Sequence, residues 1–318
     1  MTKIRAFVSL IRFKNLLIII LTQVVIKFFL IHPYLNNTSL SNFDFFLYLV
    51  ALVTIIASGY IINDIYDIEI DMINKQGTRI IEKEISKDFA MKSYYFLNLT
   101  GLISGFYVSY QVNRLWFGFI FIFFIFSLWK YSKDYKTSFL IGNLQVAFLT
   151  ALSILNIALF DLIPSGITEE NGSKIIFYII IFYASFSFII TLIREIIKDI
   201  EDIEGDKKAG ATTLAIKCGL AKTKKITILL ILSIILIILC LQYFQYKDLC
   251  NNLFINGELY WKNIITNFYT LLLQSLLILL LIRMRKSYTK LDFHSTSTLC
   301  KRIMLIGILS IPLFHFLY

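Results

Sequence analysis

The sequence predicts an all-α, polytopic membrane protein with nine transmembrane helices, forming a single domain over residues 1–318. Three observations lead there. Hydrophobic residues make up 58% of the chain and mean hydropathy is +0.74. Charged residues make up 16%, against roughly 25% in a typical soluble domain. Several apolar runs approach or exceed the roughly 20 residues that cross a bilayer.

In chain order, Lys3, Arg5, Arg12 and Lys14 precede a first span over Leu16–Ile31. A polar turn with Pro33 and Asn36 leads to the second, Phe43–Ile62. A mixed-charge stretch, Asn74–Lys92, has room for a loop and a short amphipathic helix. The third span is Tyr94–Tyr110 and the fourth Leu115–Trp129. Lys130, Lys133 and Lys136 cluster before the fifth, Phe139–Phe160. A turn with Pro164, Gly166 and Gly172 leads to the sixth, Ile175–Ile193. Ile226–Phe244, Ile264–Ile282 and Met304–Tyr318 complete the set.

Lys and Arg orient these spans. They are dense at the amino terminus and after spans two, four, six and eight, and sparse in the other connections. By the positive-inside rule the amino terminus is cytoplasmic and the carboxyl terminus outside. The net charge of +10 therefore reflects topology. No soluble segment is long enough to carry a nucleic-acid surface. Cys218, Cys240, Cys250 and Cys300 show neither zinc spacing nor a disulfide framework. The first apolar run lacks a small-residue cleavage site, so no signal peptide is expected.

Chemistry concentrates where the second and sixth spans end. Asn63–Asp71 reads N-D-I-Y-D-I-E-I-D, with Asp64, Asp67 and Asp71 at i, i+3 and i+7. On an α-helix that spacing puts the three on one face. The pattern returns as Asp199, Asp202 and Asp206, and 199−64, 202−67 and 206−71 all equal 135. Both sets fall on the predicted cytoplasmic side. Two acidic helix ends call for a shared partner, and Mg²⁺ bridging to a phosphorylated ligand is the natural candidate. Mg²⁺ takes oxygen ligands and binds through one or two carboxylates plus substrate phosphates. Held on a diphosphate leaving group, such ions stabilise the developing charge.

Asn63 adjoins Asp64 and reads as part of the site, or alternatively as a helix cap. Arg194 and Lys198 precede Asp199 on the same helix and can reach phosphate oxygens. Arg79, Lys75, Lys207 and Lys208 have the same two readings, phosphate contact or positive-inside bias. Glu69, Glu201 and Glu204 read as solvated neighbours. His32, His294 and His315 show no ligand spacing. A cation transporter is the rival class, but its acids would sit at mid-membrane depth, and these lie at helix ends.

These motifs resemble those of the UbiA superfamily of intramembrane prenyltransferases. The first is similar to that family's N-D-x-x-D-x-x-x-D at Asn63, Asp64, Asp67 and Asp71. The second, Arg194–Leu214, is similar to its D-x-x-D-x-x-x-D region. Tyr131–Lys136 and Leu140–Leu144 resemble the loop between its fourth and fifth helices. The resemblance covers roughly residues 10–220. It implies nine helices around a central cavity with a lateral opening to lipid. It also implies Mg²⁺-dependent transfer of a prenyl group from a polyprenyl diphosphate to a lipid or aromatic acceptor. By the same carry-over, Tyr131 and Lys136 lie near the diphosphate, and Arg12 and Asn15 face the cavity. One departure stands out: the family's N-K-P-x-R-P is here Asn74-Lys75-Gln76-Gly77-Thr78-Arg79-Ile80, without either proline. Within the family, K-D-I-E-D-I-E-G-D looks most like the archaeal-type enzymes that geranylgeranylate geranylgeranylglyceryl phosphate. Quinone-precursor and haem prenyltransferases share the metal motifs and remain alternatives.

Overall fold

The computed structural model describes residues 3–35, 38–68, 80–168, 172–208, 210–251, 254–255, 258–259 and 261–317. They fall into two compact units: residues 1–184 with 204–213, and residues 185–203 with 214–318. The first unit contains α1 (Lys3–Leu10), α2 (Phe13–Val25), α3 (Asn42–Tyr66), α4 (Lys87–Gln111), α5 (Phe119–Lys130) and α6 (Ile141–Asp161). A π turn prolongs α2 to Ile31, and another, Tyr131–Tyr135, prolongs α5. The long helix α7 (Ser173–Glu201) is shared between the units, and the short α8 (Ile203–Lys208) follows it. The second unit adds α9 (Leu214–Asn251), α10 (Trp261–Lys286) and α11 (Lys290–Leu317). Among the described residues the only strands are a two-residue antiparallel pair, Phe254–Ile255 with Glu258–Leu259.

Among the described residues, eight helices are long and apolar enough to cross a membrane. The expected third span lies in α4, which at 25 residues equals α3 in length but falls short in apolarity. The reason is where its polar groups go. Ser58 of α3 donates to Asn98 Oδ1 at 2.6 Å, and Ser109 donates to the Gly105 carbonyl at 2.8 Å. Gly101 and Gly105 let α4 close on Ile55 of α3 and on Phe121 of α5, where a Cβ would collide. The helix is polar by composition because its polar and small residues pack inward. Apolar composition alone therefore supports eight of the nine spans expected.

Local starts and stops follow ordinary capping. Ser41 caps α3, accepting from the Asp44 amide at 3.1 Å, and Ser86 caps α4, accepting from Phe89 at 3.3 Å. The short amphipathic helix expected before the third span is absent among the described residues. Residues 80–86 instead form a tight turn closed by Ile81 and Ile85, and the helix starting at Lys87 runs on without a break. The seventh span, expected over Ile226–Phe244, is embedded in the longer α9, which changes direction at Gly219 (φ 74°). Glycine adopts that angle at little cost.

The first unit also holds a buried ion pair near the ends of two apolar helices. Lys27 Nζ lies 2.7 Å from Asp161 Oδ2 and donates to the Leu40 carbonyl at 2.9 Å. Asp161 Oδ1 accepts from the Leu40 amide at 2.8 Å. Both side chains are essentially inaccessible. The pair ties the ends of α2 and α6 to the segment before α3. Sequence inspection passed over it because each residue stands alone in an apolar run.

Candidate active site

The end of α3 is built on a hydrophobic cluster. Ile61, Ile62 and Ile65 pack with Ala6 and Leu10 of α1, with Ile81 and Ile85, and with Ala90 and Tyr94 of α4. On the other side of that helix end stand Asn63, Asp64 and Asp67. The helix closes at Tyr66, and Asp67 occupies the capping position, its amide bonded to the Asn63 carbonyl at 3.0 Å. Asn63 also directs its side-chain amide to Asp67 Oδ2 at 2.9 Å and lies 3.5 Å from Asp64 Oδ1. Asn63 thus lies in the last turn of α3, bonded to Asp67, and is not an amino-terminal cap.

Asp64 and Asp67 each meet a cation from far away in sequence. Arg12 Nη2 donates to Asp64 Oδ1 at 3.1 Å. The guanidinium stands 4.8 Å above the Tyr60 ring, whose hydroxyl accepts from Asn15 Nδ2 at 3.4 Å. Arg12 adopts a left-handed backbone (φ 50°, ψ 51°) in the break between α1 and α2, a conformation that costs energy outside glycine and gathers at functional sites. Burial works against its charge, but Asp64, with Tyr60 and Tyr131, outweighs that, and its pKa rises above the ordinary value. Lys136 forms an ion pair with Asp67, which is buried.

Lys136 is placed by its surroundings. Its amide reaches back five residues to the Tyr131 carbonyl, closing the π turn, and such turns re-aim side chains at functional sites. Gly142 lets α6 begin against the Tyr135 carbonyl, where any Cβ would collide. Thr212 donates its amide to the Thr137 carbonyl at 2.7 Å, so the segment after the second motif is stitched to this loop. Arg12, Asn15, Asn63, Asp64, Asp67, Tyr131 and Lys136 are thus gathered around one helix end. Asp71 and Arg79 lie outside the described residues. Tyr60 was missed by sequence reasoning. Its signal was its place one helical turn before Asp64.

The second motif repeats the local backbone of the first. α7 closes at Glu201, 135 positions after Tyr66, where α3 closes. Asp202 then bonds its amide to the Lys198 carbonyl at 2.9 Å, as Asp67 does to Asn63. Asp199 lies in the last turn of α7, and Asp206 lies in α8. The neighbours differ. Glu195, buried, forms an ion pair with Arg194 and lies 3.8 Å from Lys198 Nζ. Glu201 Oε1 is 2.9 Å from His294 Nδ1, and Asp202 Oδ1 is 3.5 Å from Lys290 Nζ, both on α11. Glu201 is therefore more than a solvated neighbour, and His294 has a partner that no spacing rule shows. Glu195 falls within the stretch Arg194–Leu214, but the aspartate spacing gives it no role.

The donor set suits Mg²⁺: carboxylate and amide oxygens, with no sulfur or imidazole at the first motif. No group of three or more His, Cys, Asp or Glu converges among the described residues. At the first motif the chain's own cations, Arg12 and Lys136, lie against the carboxylates that would hold the ion.

Comparison with known proteins follows the same lines. Residues 28–292 match the model of the UbiA prenyltransferase family. A digeranylgeranylglyceryl phosphate synthase from Sulfolobus acidocaldarius is 38% identical over 200 residues, covering 63% of this chain and 66% of that one. The protein of the same name from Sulfurisphaera tokodaii is 32% identical over 241 residues, covering 76% and 78%. That from Methanobrevibacter smithii is 38% identical over 181 residues, covering 57% and 59%. A structure solved for work on digeranylgeranylglyceryl phosphate synthase in membranes superposes with a TM-score of 0.61, covering 99% of both chains at 24% identity. The apo structure of a UbiA homologue from Aeropyrum pernix K1 gives 0.61 at 12% identity. These two similarities establish the fold.

Proposed function

The chain belongs to the UbiA prenyltransferase family, and from that premise we propose that it joins a prenyl group from a polyprenyl diphosphate to the hydroxyl of a prenylglyceryl phosphate, forming an ether lipid. It is an integral membrane prenyltransferase. Its relatives' shared name, digeranylgeranylglyceryl phosphate synthase, is the observation that carries the acceptor. The whole chain acts as one catalytic domain, with the amino terminus and both aspartate motifs cytoplasmic and the carboxyl terminus outside.

Asn63, Asp64, Asp67 and Asp71 of the first motif, and Asp199, Asp202 and Asp206 of the second, would hold Mg²⁺ ions on the diphosphate. Their identical spacing supports one role for both sets. When bound, Mg²⁺ offsets the charge of the diphosphate and stabilises the electron pair left on it as the C1–O bond breaks. The chain's own groups do the rest. Asn63 orients Asp67 through its amide. Arg12 and Lys136 are held at the carboxylates and can turn to phosphate oxygens when the donor arrives. Arg12 offers a planar fork suited to phosphate, and Lys136 a point charge. Arg79, Arg194 and Lys198 would add positive charge for the donor or for the acceptor's phosphate. Tyr131, with Asn15 and Tyr60, lines the approach to Arg12.

The test is incubation of purified protein and Mg²⁺ with labelled geranylgeranyl diphosphate and a panel of acceptors. An ether product with geranylgeranylglyceryl phosphate is expected. A C-prenylated product from 4-hydroxybenzoate or 1,4-dihydroxy-2-naphthoate, with none from the glyceryl phosphate, would overturn the acceptor. Single cysteines at Ser86 and Lys225, both exposed, should react with an impermeant thiol reagent only from the cytoplasmic side.

A further inference from the structure

Joining a prenyl group to an alcohol releases a proton that the diphosphate motifs do not account for. As the C1–O bond of the donor breaks, its electron pair leaves with the diphosphate. A lone pair of the acceptor's hydroxyl oxygen then forms the new C–O bond, and the oxygen must shed its hydrogen. The second unit holds one carboxylate in the right setting. Glu195 is 8% exposed, among the fully buried Ile193, Ile196 and Ile197. It precedes Asp199 by four residues and Asp202 by seven, a spacing that keeps all three on one side of a helix. Glu195 is thereby one turn, about 6 Å, further into the apolar part of α7 than Asp199. A prenyl donor whose diphosphate meets Asp199 extends its carbon chain in that direction.

The surroundings point to a ligand. Arg194 spends one nitrogen on Glu195, yet its Nε is buried with no partner among the described residues. A buried charged donor left unbonded is costly, and an acceptor oxygen beside Glu195 would satisfy it. Lys198, 3.8 Å from the other Glu195 oxygen, is more exposed, at 37% of its side chain, and leads from the carboxylate towards water. The equivalent position 135 residues earlier is Tyr60, so the first motif has no carboxylate at this depth.

We propose that Glu195 is the catalytic base that takes the proton from the acceptor's attacking hydroxyl, with Arg194 holding that acceptor. This rests on the prenyl-transfer reading above. The proton leaves as the C–O bond forms, when the oxygen is taking on oxonium character and is far more acidic than a free alcohol, so a carboxylate flanked by two cations can accept it in the transition state. The neutral Glu195 then returns its proton to water past Lys198.

The test compares Glu195→Gln and Glu195→Asp with the wild type on two acceptors, the prenylglyceryl phosphate and its analogue bearing a thiol in place of the attacking hydroxyl. The second is assayed at about pH 9.5, where much of it is thiolate and needs no base. Glu195→Gln should lose about 10²–10⁴-fold in kcat with the alcohol and stay within a few-fold of wild type with the thiolate. Glu195→Asp should fall between. Binding of an unreactive geranylgeranyl thiodiphosphate, read by titration without turnover, should be unchanged in both. Equal losses on the two acceptors, loss of donor binding, or full activity of Glu195→Gln with the alcohol would each overturn the assignment. A wild-type protein that forms no ether with the alcohol overturns the acceptor reading and this inference with it. An active wild type with an unimpaired Gln variant overturns the inference alone.

Discussion

At the end of α3 the aspartates are matched by cations from distant parts of the chain, Arg12 from 52 residues before Asp64 and Lys136 from 69 residues after Asp67. At the end of α7, Arg194 and Lys198 belong to the same helix as the carboxylate they meet, and two further pairs come from α11. The backbone is the same in both: a long helix closes one residue before the middle aspartate. A repeated motif thus fixes where carboxylates stand, and the side chains around it decide what each copy does. One turn before the first aspartate, one copy has Tyr60 under an arginine, and the other has a carboxylate, Glu195, beside one.

The largest effect should come from the feature the two copies share. Asp67→Asn and Asp202→Asn each keep size and remove charge. Either should cut turnover by about 10³-fold or more, the scale of losing transition-state electrostatics. Both variants should still insert and fold, as read by monodisperse elution in detergent. Near wild-type activity of one of them at limiting Mg²⁺ would show that the copies are not equivalent.

The next effect separates the ion pairs proposed to serve chemistry from one that serves the fold. Lys27 and Asp161 lie about 15 residues beyond the site along α2, or roughly 22 Å. Lys27→Met strands a buried carboxylate and should destabilise by about 3–5 kcal/mol, whereas Lys27→Met with Asp161→Leu should recover most of that. Thermal unfolding in detergent measures both. Failure of the double variant to recover would mean that the Leu40 backbone bonds, and not the charge pair, hold this corner.

Arg12→Lys tests the first motif's private neighbours. Charge is kept, but the planar fork and the stack on Tyr60 are lost. A loss of about 10–100-fold in kcat/KM is expected, with Asp64 still paired. A variant indistinguishable from wild type would reduce Arg12 to a counter-charge.

Much of this was legible in advance because period and spacing are local. Apolar runs gave the long helices, and three aspartates at fixed offsets located both helix ends. The matched helix closures at Tyr66 and Glu201 were implicit in the offset of 135. What stayed hidden is pairing across long separations. Nothing in the stretch around Arg12 indicates Asp64, and neither Lys27 nor Asp161 belongs to a pattern. α4 was expected only as a span over Tyr94–Tyr110 after a separate short helix; it runs unbroken from Lys87, and its inward polar groups defeat a judgement by composition. His294 was dismissed for lack of ligand spacing, a rule that detects metal sites and is blind to a single partner such as Glu201.

The smallest effect should fall on the contacts between α7 and α11. Lys290 and His294 pair with Asp202 and Glu201 and so resemble Arg12 and Lys136 on paper. Exposure separates the two groups. The side chains of Lys290 and His294 are 64% and 67% exposed, while that of Lys136 is 32% and its partner Asp67 only 5%. Solvent screens an exposed pair, and holding a long side chain in place costs entropy, so such contacts contribute about 0–1 kcal/mol. Lys290→Ala and His294→Ala, singly or together, should therefore change kcat/KM less than about threefold. Raising the salt should shrink even that difference. Lys136→Ala, measured beside them, should lose far more and respond little to salt. If the α11 variants instead match Lys136→Ala, the two motifs depend equally on their neighbours, and the asymmetry drawn between them fails.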